Sequence, residues 1–175
     1  MKGVLKLRPS SLSTLFIIRG GLEDMFLKDD KSMLYEKCEK CAHVTEGLVV
    51  GERLLKILKE NKDAVGLAAN QVGINTSVCV VHVTKPIVLV NPEIIGKFGK
   101  SYFQEGCLSF PGDYIMTERW TNIIVKASNH SNPLVFSFDA NALECVCVQH
   151  EIDHLNGVTM FDRAIDMELI NGKEE

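Results

Sequence analysis

Apolar residues recur at helical spacing in two segments of the 175-residue chain. In residues 46–61 they predict an amphipathic helix packed on the core, with its apolar positions at Leu48, Val49, Leu54, Leu55, Ile57 and Leu58. A second helical pattern runs over residues 141–155. It stops at Asn156 and Gly157, a pair typical of helix C-termini.

Short runs rich in β-branched residues lie between these helices. Residues 78–83 and 87–90 predict two strands and a turn, and residues 123–126 and 134–138 predict a second pair. The small residues of 64–73 predict a tight, closely packed turn. This order predicts an α+β fold, with short antiparallel strands packed around a central helix and an N-terminal amphipathic helix.

Length and composition predict one soluble globular domain. Of the residues, 46% are hydrophobic and 24% are charged, which is ordinary for a chain that buries a core of its own. The net charge of −4 argues against a direct nucleic-acid site, because phosphate binding needs a basic face. We find no uninterrupted run of about 18 apolar residues, so we expect no membrane association through a spanning helix.

The first 22 residues differ from the rest, since they contain Lys2, Lys6, Arg8 and Arg19 but no acid. We therefore predict an N-terminal extension over residues 1–28 and a catalytic domain over residues 29–175. The extension is either a targeting segment or a plain upstream addition. The six cysteines follow no secretory signal, so we expect a reducing compartment. We predict a cytoplasmic location, with a plastid or mitochondrion as the alternative if the extension is a transit peptide.

The sequence Q-H-E-I-D-H at 149–154 is the strongest local indication of chemistry. On a helix, His150 and His154 project from one face about one turn apart, where two imidazoles can hold one metal ion. Glu151 between them suits a general acid or base. The alternative is a pair of solvated or hydrogen-bonded histidines. The apolar residues one to two turns earlier argue against it, because buried histidines need partners.

A catalytic metal typically has three protein ligands and one open position, so the two histidines need a third partner. The other histidines, His43, His82 and His130, show no matching spacing. Cys107 is the best candidate, because the adjacent Gly106 lets the backbone approach a metal closely. Taken alone, Cys107 is also compatible with an ordinary buried cysteine.

Three segments together resemble the peptide deformylase family. They are A-V-G-L-A-A-N-Q at 64–71, E-G-C-L-S at 105–109 and Q-H-E-I-D-H-L-N-G at 149–157. They stand in the order found in that family, and the resemblance covers roughly residues 30–165. It does not cover the N-terminal extension.

The resemblance implies a role for each matching residue. Cys107, His150 and His154 would bind the metal, and Glu151 would shuttle a proton. The side chain of Gln71 and the backbone N–H of Leu108 would bind the oxygen of the substrate's formyl group. The pocket for the substrate's methionine would consist of Val65, Gly66, Phe103, Glu105, Leu143, Val146 and Cys147.

The resemblance also implies the reaction and the partners. The enzyme would be a metal-dependent hydrolase that removes the N-formyl group from the N-terminal methionine of new polypeptides and releases formate. It would act on N-formylmethionyl nascent peptides, with the ribosome exit as a candidate place of action. Its one divalent metal ion would natively be Fe²⁺, with Zn²⁺, Ni²⁺ or Co²⁺ able to replace it.

The chain departs from the family pattern in the first motif. Ala64 replaces a glycine, which would cost on the order of 1 kcal/mol if the position needs a positive φ. Asn70 replaces a usual proline, and we expect this to loosen the loop while leaving Gln71 in register. Only 18 residues follow Gly157, so a long C-terminal helix is not expected.

Two other functions compete with this one. A zincin-type metallopeptidase also uses H-E-x-x-H, and it would need a downstream third ligand, for which Glu168 is available. A non-catalytic deformylase-like binding module would have lost a ligand, Glu151 or Gln71, and all of these residues are present.

Overall fold

Two helices and two three-stranded antiparallel sheets make up the computed structural model, which describes residues 30–166. The α+β class with antiparallel strands is therefore confirmed. Short 3-10 helices connect these elements, at Ser32–Tyr35, Ala69–Val72 and Met160–Arg163. The predicted extension over residues 1–28 lies outside the described residues, and the domain division stays a prediction.

The first sheet has the order β1-β2-β3 and is buried in the centre of the fold. Its strands are β1 (Gly66–Ala68), β2 (Val78–His82) and β3 (Pro86–Val90). Alternate residues of β2 enter opposite halves of the core: Cys79 and Val81 on one side, Val78 and Val80 on the other. A strand with two buried faces needs a continuous apolar run, which explains the sequence of β2.

The second sheet is a long hairpin with one added strand, in the order β4-β5-β6. Its strands are β4 (Glu93–Cys107), β5 (Phe110–Lys126) and β6 (Leu134–Ser137). Sequence analysis found only the last four residues of β5 and missed β4 entirely. Most of β4 is exposed or half-buried, so its sequence lacks a regular apolar alternation, and its conformation depends on pairing with β5.

The first helix, α1 (Val44–Glu60), packs on the first sheet. Its buried face includes Gly47 and Gly51, where a Cβ would overlap the side chains of Val90 and Val88. Leu48 and Val49 were assigned to the packed face by the pattern, but they are exposed. Leu54, Ile57 and Leu58 are buried as predicted, and the two glycines let the helix approach the sheet closely.

The second helix, α2 (Phe138–Leu155), passes through the core and carries both candidate histidines. Asn141 interrupts its first turns with extended dihedral angles, and its side chain accepts a hydrogen bond from the Glu144 N–H at 3.1 Å. Asn141 therefore acts as the N-cap of the main helical segment, at the start predicted from the sequence. Every residue from 145 to 155 is buried, and Gly157, with φ of 72°, follows the helix end.

We predict that Gly51→Ala destabilises the protein although alanine favours helix. The added methyl group would overlap Val88, whose β-branched side chain is stiff, and overpacking of this kind costs about 1–3 kcal/mol. Thermal unfolding should show a loss of several degrees. Glu52→Ala, on the exposed face one residue further along, should change stability by no more than about 0.5 kcal/mol. A Gly51→Ala variant as stable as the parent would contradict this close approach.

Candidate metal centre and active-site cleft

Cys107, His150 and His154 converge where the hairpin tip meets α2. One ligand atom from each residue lies within 4.8 Å of the other two. The Nε2 atom of His154 is 3.3 Å from the Cys107 Sγ and 3.1 Å from the Nε2 of His150. Within residues 30–166 no other histidines, cysteines or acids form such a group of three. The structure thus brings together the three ligands that the sequence suggested.

The donor atoms suit a divalent metal ion. Nδ1 of His150 lies 2.7 Å from a carboxylate oxygen of Glu105, which keeps the ring proton on Nδ1 and leaves the Nε2 lone pair facing His154. Two imidazole nitrogens and one thiol sulfur at this spacing are a donor set that binds Zn²⁺ or Fe²⁺. Nδ1 of His154 is buried without a hydrogen-bond partner among the described residues.

A buried chain of charges supports His150 from behind. Arg119 binds both carboxylate oxygens of Glu105, at 2.5 and 3.0 Å, and also pairs with Asp153. Asp153 in turn accepts from Arg163 at 2.8 Å. Burial raises the pKa of Glu105, but hydrogen bonds from His150 and Arg119 outweigh it and bring the pKa to about 2. Glu105 is therefore a permanent anion beside the first histidine.

Sequence analysis missed Arg119 and Asp153. Asp153 lies inside the Q-H-E-I-D-H motif, three residues after His150, so its position was a usable indication. Arg119 lies on a part of β5 that was not predicted as a strand, and only pairing with β4 brings it next to Glu105.

Glu151 lies on α2 beside the ligands and faces β1. Its carboxyl is buried, and its Oε2 has no hydrogen-bond partner among the described residues. Burial raises the pKa of Glu151 to about 7, against an opposing effect of His150. Gly66 makes this placement possible, since a Cβ there would overlap Glu151 and lie 2.6 Å from the Cys147 Sγ. A carboxyl with this pKa exchanges protons readily near neutral pH.

Gln71 extends from the Ala69–Val72 turn toward the hairpin tip. The Ala68 N–H donates to its Oε1 at 2.8 Å, which fixes the orientation of the amide. Its Nε2 donates to the Ser109 Oγ at 3.0 Å and lies 3.7 Å from the Cys107 Sγ. Leu108 belongs to the two-residue turn between β4 and β5 and lines the same cleft.

The two departures in the first motif are accommodated. Among the described non-glycine residues only Asn91 has a positive φ, so Ala64 carries no such strain. Asn70 is buried, and its side-chain Nδ2 donates to backbone oxygens of His154 and Met33. The expected loosening of the loop is thus opposed by two hydrogen bonds that proline cannot make.

A cleft of about 450 Å³ opens in front of the ligands. Its walls come from β1, the hairpin and α2, and they include every pocket residue expected from the resemblance: Val65, Gly66, Phe103, Glu105, Leu143, Val146 and Cys147. The carboxylate of Glu105 is occupied by Arg119 and His150 and is unavailable to a substrate. His154 is buried behind this wall and does not line the cleft.

The family profile described as polypeptide deformylase matches residues 24–169. The chain belongs to this family. Polypeptide deformylases are metalloenzymes that act on N-formylmethionyl nascent peptides, and the Cys-His-His group is consistent with this.

Similar proteins include bacterial peptide deformylases. The peptide deformylase of Hydrogenovibrio crunogenus is 37% identical over 145 residues, covering 79% of this chain and 83% of its own. Peptide deformylase 1 of Bacillus anthracis is 42% identical over 138 residues, covering 75% and 86%. The crystal structure of peptide deformylase from Thermotoga maritima superimposes with a TM-score of 0.70 at 31% identity, covering 81% of this chain and 97% of that one.

These comparisons favour neither alternative function. A zincin-type metallopeptidase would need a third ligand such as Glu168, which lies outside the described residues. Cys107 already lies beside the two histidines. A deformylase-like module without activity would have lost a ligand, Glu151 or Gln71. The three ligands lie together, and Glu151 and Gln71 line the cleft.

We predict that Glu105→Gln weakens metal binding by about 10- to 100-fold, because the anion that orients His150 is lost. Competition with a chelator would measure the affinity directly. Glu118→Gln is the matched control, since Glu118 is on the same hairpin and pairs with the exposed Lys100. Equal affinities of the two variants would show that Glu105 does not orient the ligand.

Proposed function

We propose that this chain is a catalytically active peptide deformylase, which hydrolyses the N-formyl group of new polypeptides to formate and a free α-amine. The observation that carries this proposal is the convergence, in one cleft, of Cys107 and His150 with Glu151 and Gln71. Each belongs to one of the three family motifs, and they come from three different elements of the fold.

We propose that α2 is the central metal-binding helix, and that Cys107, His150 and His154 hold one divalent ion. When bound, such an ion supplies a Lewis acid that makes hydroxide available near neutral pH. We propose Fe²⁺ as the native ion, which the resemblance to the family implies and which a thiolate with two imidazoles can bind. Zn²⁺, Ni²⁺ or Co²⁺ fit the same donors.

Glu151 is proposed to move the proton. As a buried carboxylate with a pKa of about 7, it can accept a proton from the attacking water and return it to the leaving nitrogen. Its unpartnered Oε2 is free for this exchange.

Gln71 and Leu108 are proposed to stabilise the charge that develops on the formyl oxygen. The Gln71 amide nitrogen already faces the Cys107 side of the cleft, and its orientation is fixed by the Ala68 N–H. The backbone N–H of Leu108, on the hairpin turn, would supply the second donor. One donor of this kind is typically worth about 3–4 kcal/mol in the transition state.

The methionine side chain is proposed to enter the apolar part of the cleft. Its walls are Val65, Phe103, Leu143, Val146 and Cys147, all of which line the same cavity. We assign Glu105 to orienting His150, so that only its backbone remains for contact with the substrate.

Place of action stays a prediction. None of the helices within residues 30–166 is long and apolar enough to cross a membrane. The cytoplasmic location, with a plastid or mitochondrion as the alternative, is a prediction from the sequence. The same holds for an encounter with nascent peptides at the ribosome exit.

We predict that Glu151→Ala retains metal but loses formate release by about 10²–10⁴-fold, the usual value of a general acid or base. Formate release from formyl-Met-Ala-Ser and metal content would be measured on the same preparation. Glu144→Ala is the control on the same helix, because Glu144 is half-buried, accepts from Thr84 and does not line the cleft, and this variant should keep normal rates. Residual activity of a tenth or more in Glu151→Ala would exclude the proton-transfer role.

A second prediction concerns the side chain of the first residue. Burying a methionine side chain is worth roughly 1.5–3 kcal/mol, so formyl-Met-Ala-Ser should exceed formyl-Ala-Ala-Ser about 10- to 100-fold in kcat/KM. Val146→Phe should reduce this preference and leave metal content unchanged, whereas Val135→Phe, on the exposed face of β6, should have no effect. Equal rates on both peptides would remove these residues from the methionine pocket.

A further inference from the structure

Asn70 is a buried amide whose two hydrogen bonds both go to backbone oxygens of other elements. It is 2% exposed, and its Nδ2 lies 2.6 Å from the carbonyl oxygen of His154 and 3.2 Å from that of Met33. His154 is in the last turn of α2, and its carbonyl oxygen also accepts from the Gly157 N–H at 3.1 Å. Asn70 thus ties its own turn to the helix end that carries a candidate ligand.

The same side chain also has an unpaired oxygen, which does not favour stability. Its Oδ1 is buried and has no hydrogen-bond partner among the described residues. An unpaired buried carbonyl is destabilising, and such groups in native proteins call for an explanation. Asn70 contributes its two donated hydrogen bonds, and both fix the position of its turn relative to other elements.

The next residue along the chain is Gln71, whose side chain points the other way. Its amide binds the Ser109 hydroxyl on the hairpin turn and approaches Cys107. Asn70 and Gln71 therefore connect one four-residue turn to α2 on one side and to the hairpin on the other. These are the two elements that supply the candidate ligands.

We propose that Asn70 is a positioning residue, which holds the Gln71 amide at its working distance from the ligand group by tying the Ala69–Val72 turn to the backbone of His154. This inference rests on the proposed role of Gln71 in the deformylase reaction. Without the tie, the turn keeps its chain connections but loses its fixed position against α2, and a small misplacement of a catalytic group is costly in rate.

The test is a double-mutant cycle with formyl-Met-Ala-Ser as substrate. In the otherwise unchanged protein, Asn70→Ala should lower kcat on the order of tenfold and change KM little. In the Gln71→Ala background the same substitution should lower kcat less than about twofold, because the group it positions is gone. Asn70→Leu, which has a similar shape and no donor, should behave like Asn70→Ala.

Asn61→Ala is the matched control for a purely structural effect. The Asn61 side chain also donates to a helix carbonyl, that of Ile57 at 2.8 Å, at the end of α1 and outside the cleft. Asn61→Ala should lower the melting temperature, as Asn70→Ala should. It should leave kcat unchanged when kcat is measured well below the unfolding temperature.

A second readout does not depend on activity. In the zinc-loaded protein the side-chain NH₂ signals of Gln71 can be assigned by their disappearance in Gln71→Ala. Asn70→Ala should shift or broaden these NMR signals, whereas Asn61→Ala should leave them in place.

The outcomes separate the two proposals. A parent protein that releases no formate overturns the proposed function, while the NMR comparison still decides whether Asn70 positions Gln71. Equal losses of kcat in both backgrounds, an unchanged kcat in Asn70→Ala, or unmoved Gln71 signals would overturn the positioning role.

Discussion

The structure depends on one constraint: the helix that passes through the core carries several polar side chains that must be buried. His150, Glu151, Asp153 and His154 are all buried on α2, next to the apolar residues that pack against the central sheet. Burial of such groups costs free energy unless they have hydrogen-bond partners or a bound ion. Arg119 supplies part of this requirement, because it pairs with both Glu105 and Asp153.

The same constraint explains how the site obtains its chemistry. Glu105 is kept ionised by Arg119 and hydrogen-bonds to His150, whereas Glu151 has no ion pair within residues 30–166 and its pKa rises to about 7. The two buried carboxyls near His150 thus have pKa values of about 2 and about 7. Their different environments support the proposal that Glu105 orients the ligand and Glu151 transfers the proton.

Local motifs made most of the candidate site predictable from the sequence. Helical spacing placed His150 and His154 on one face, and the E-G-C-L-S segment supplied Cys107 without knowledge of the fold. Arg119 and the tie made by Asn70 were not predictable, because both depend on pairing between segments distant in the chain. For the same reason the hairpin of β4 and β5 was largely missed: its strands are mostly exposed and are stabilised by each other rather than by an apolar face.

The central claim is that Cys107 and the two histidines hold one divalent ion, and the absorption spectrum of the cobalt-substituted protein tests it most directly. The account predicts a sulfur-to-cobalt charge-transfer band that disappears in Cys107→Ser and persists in Cys147→Ser, a buried thiol in the same cleft that is not a ligand. A band that is absent from the parent protein, or that survives Cys107→Ser, would contradict it.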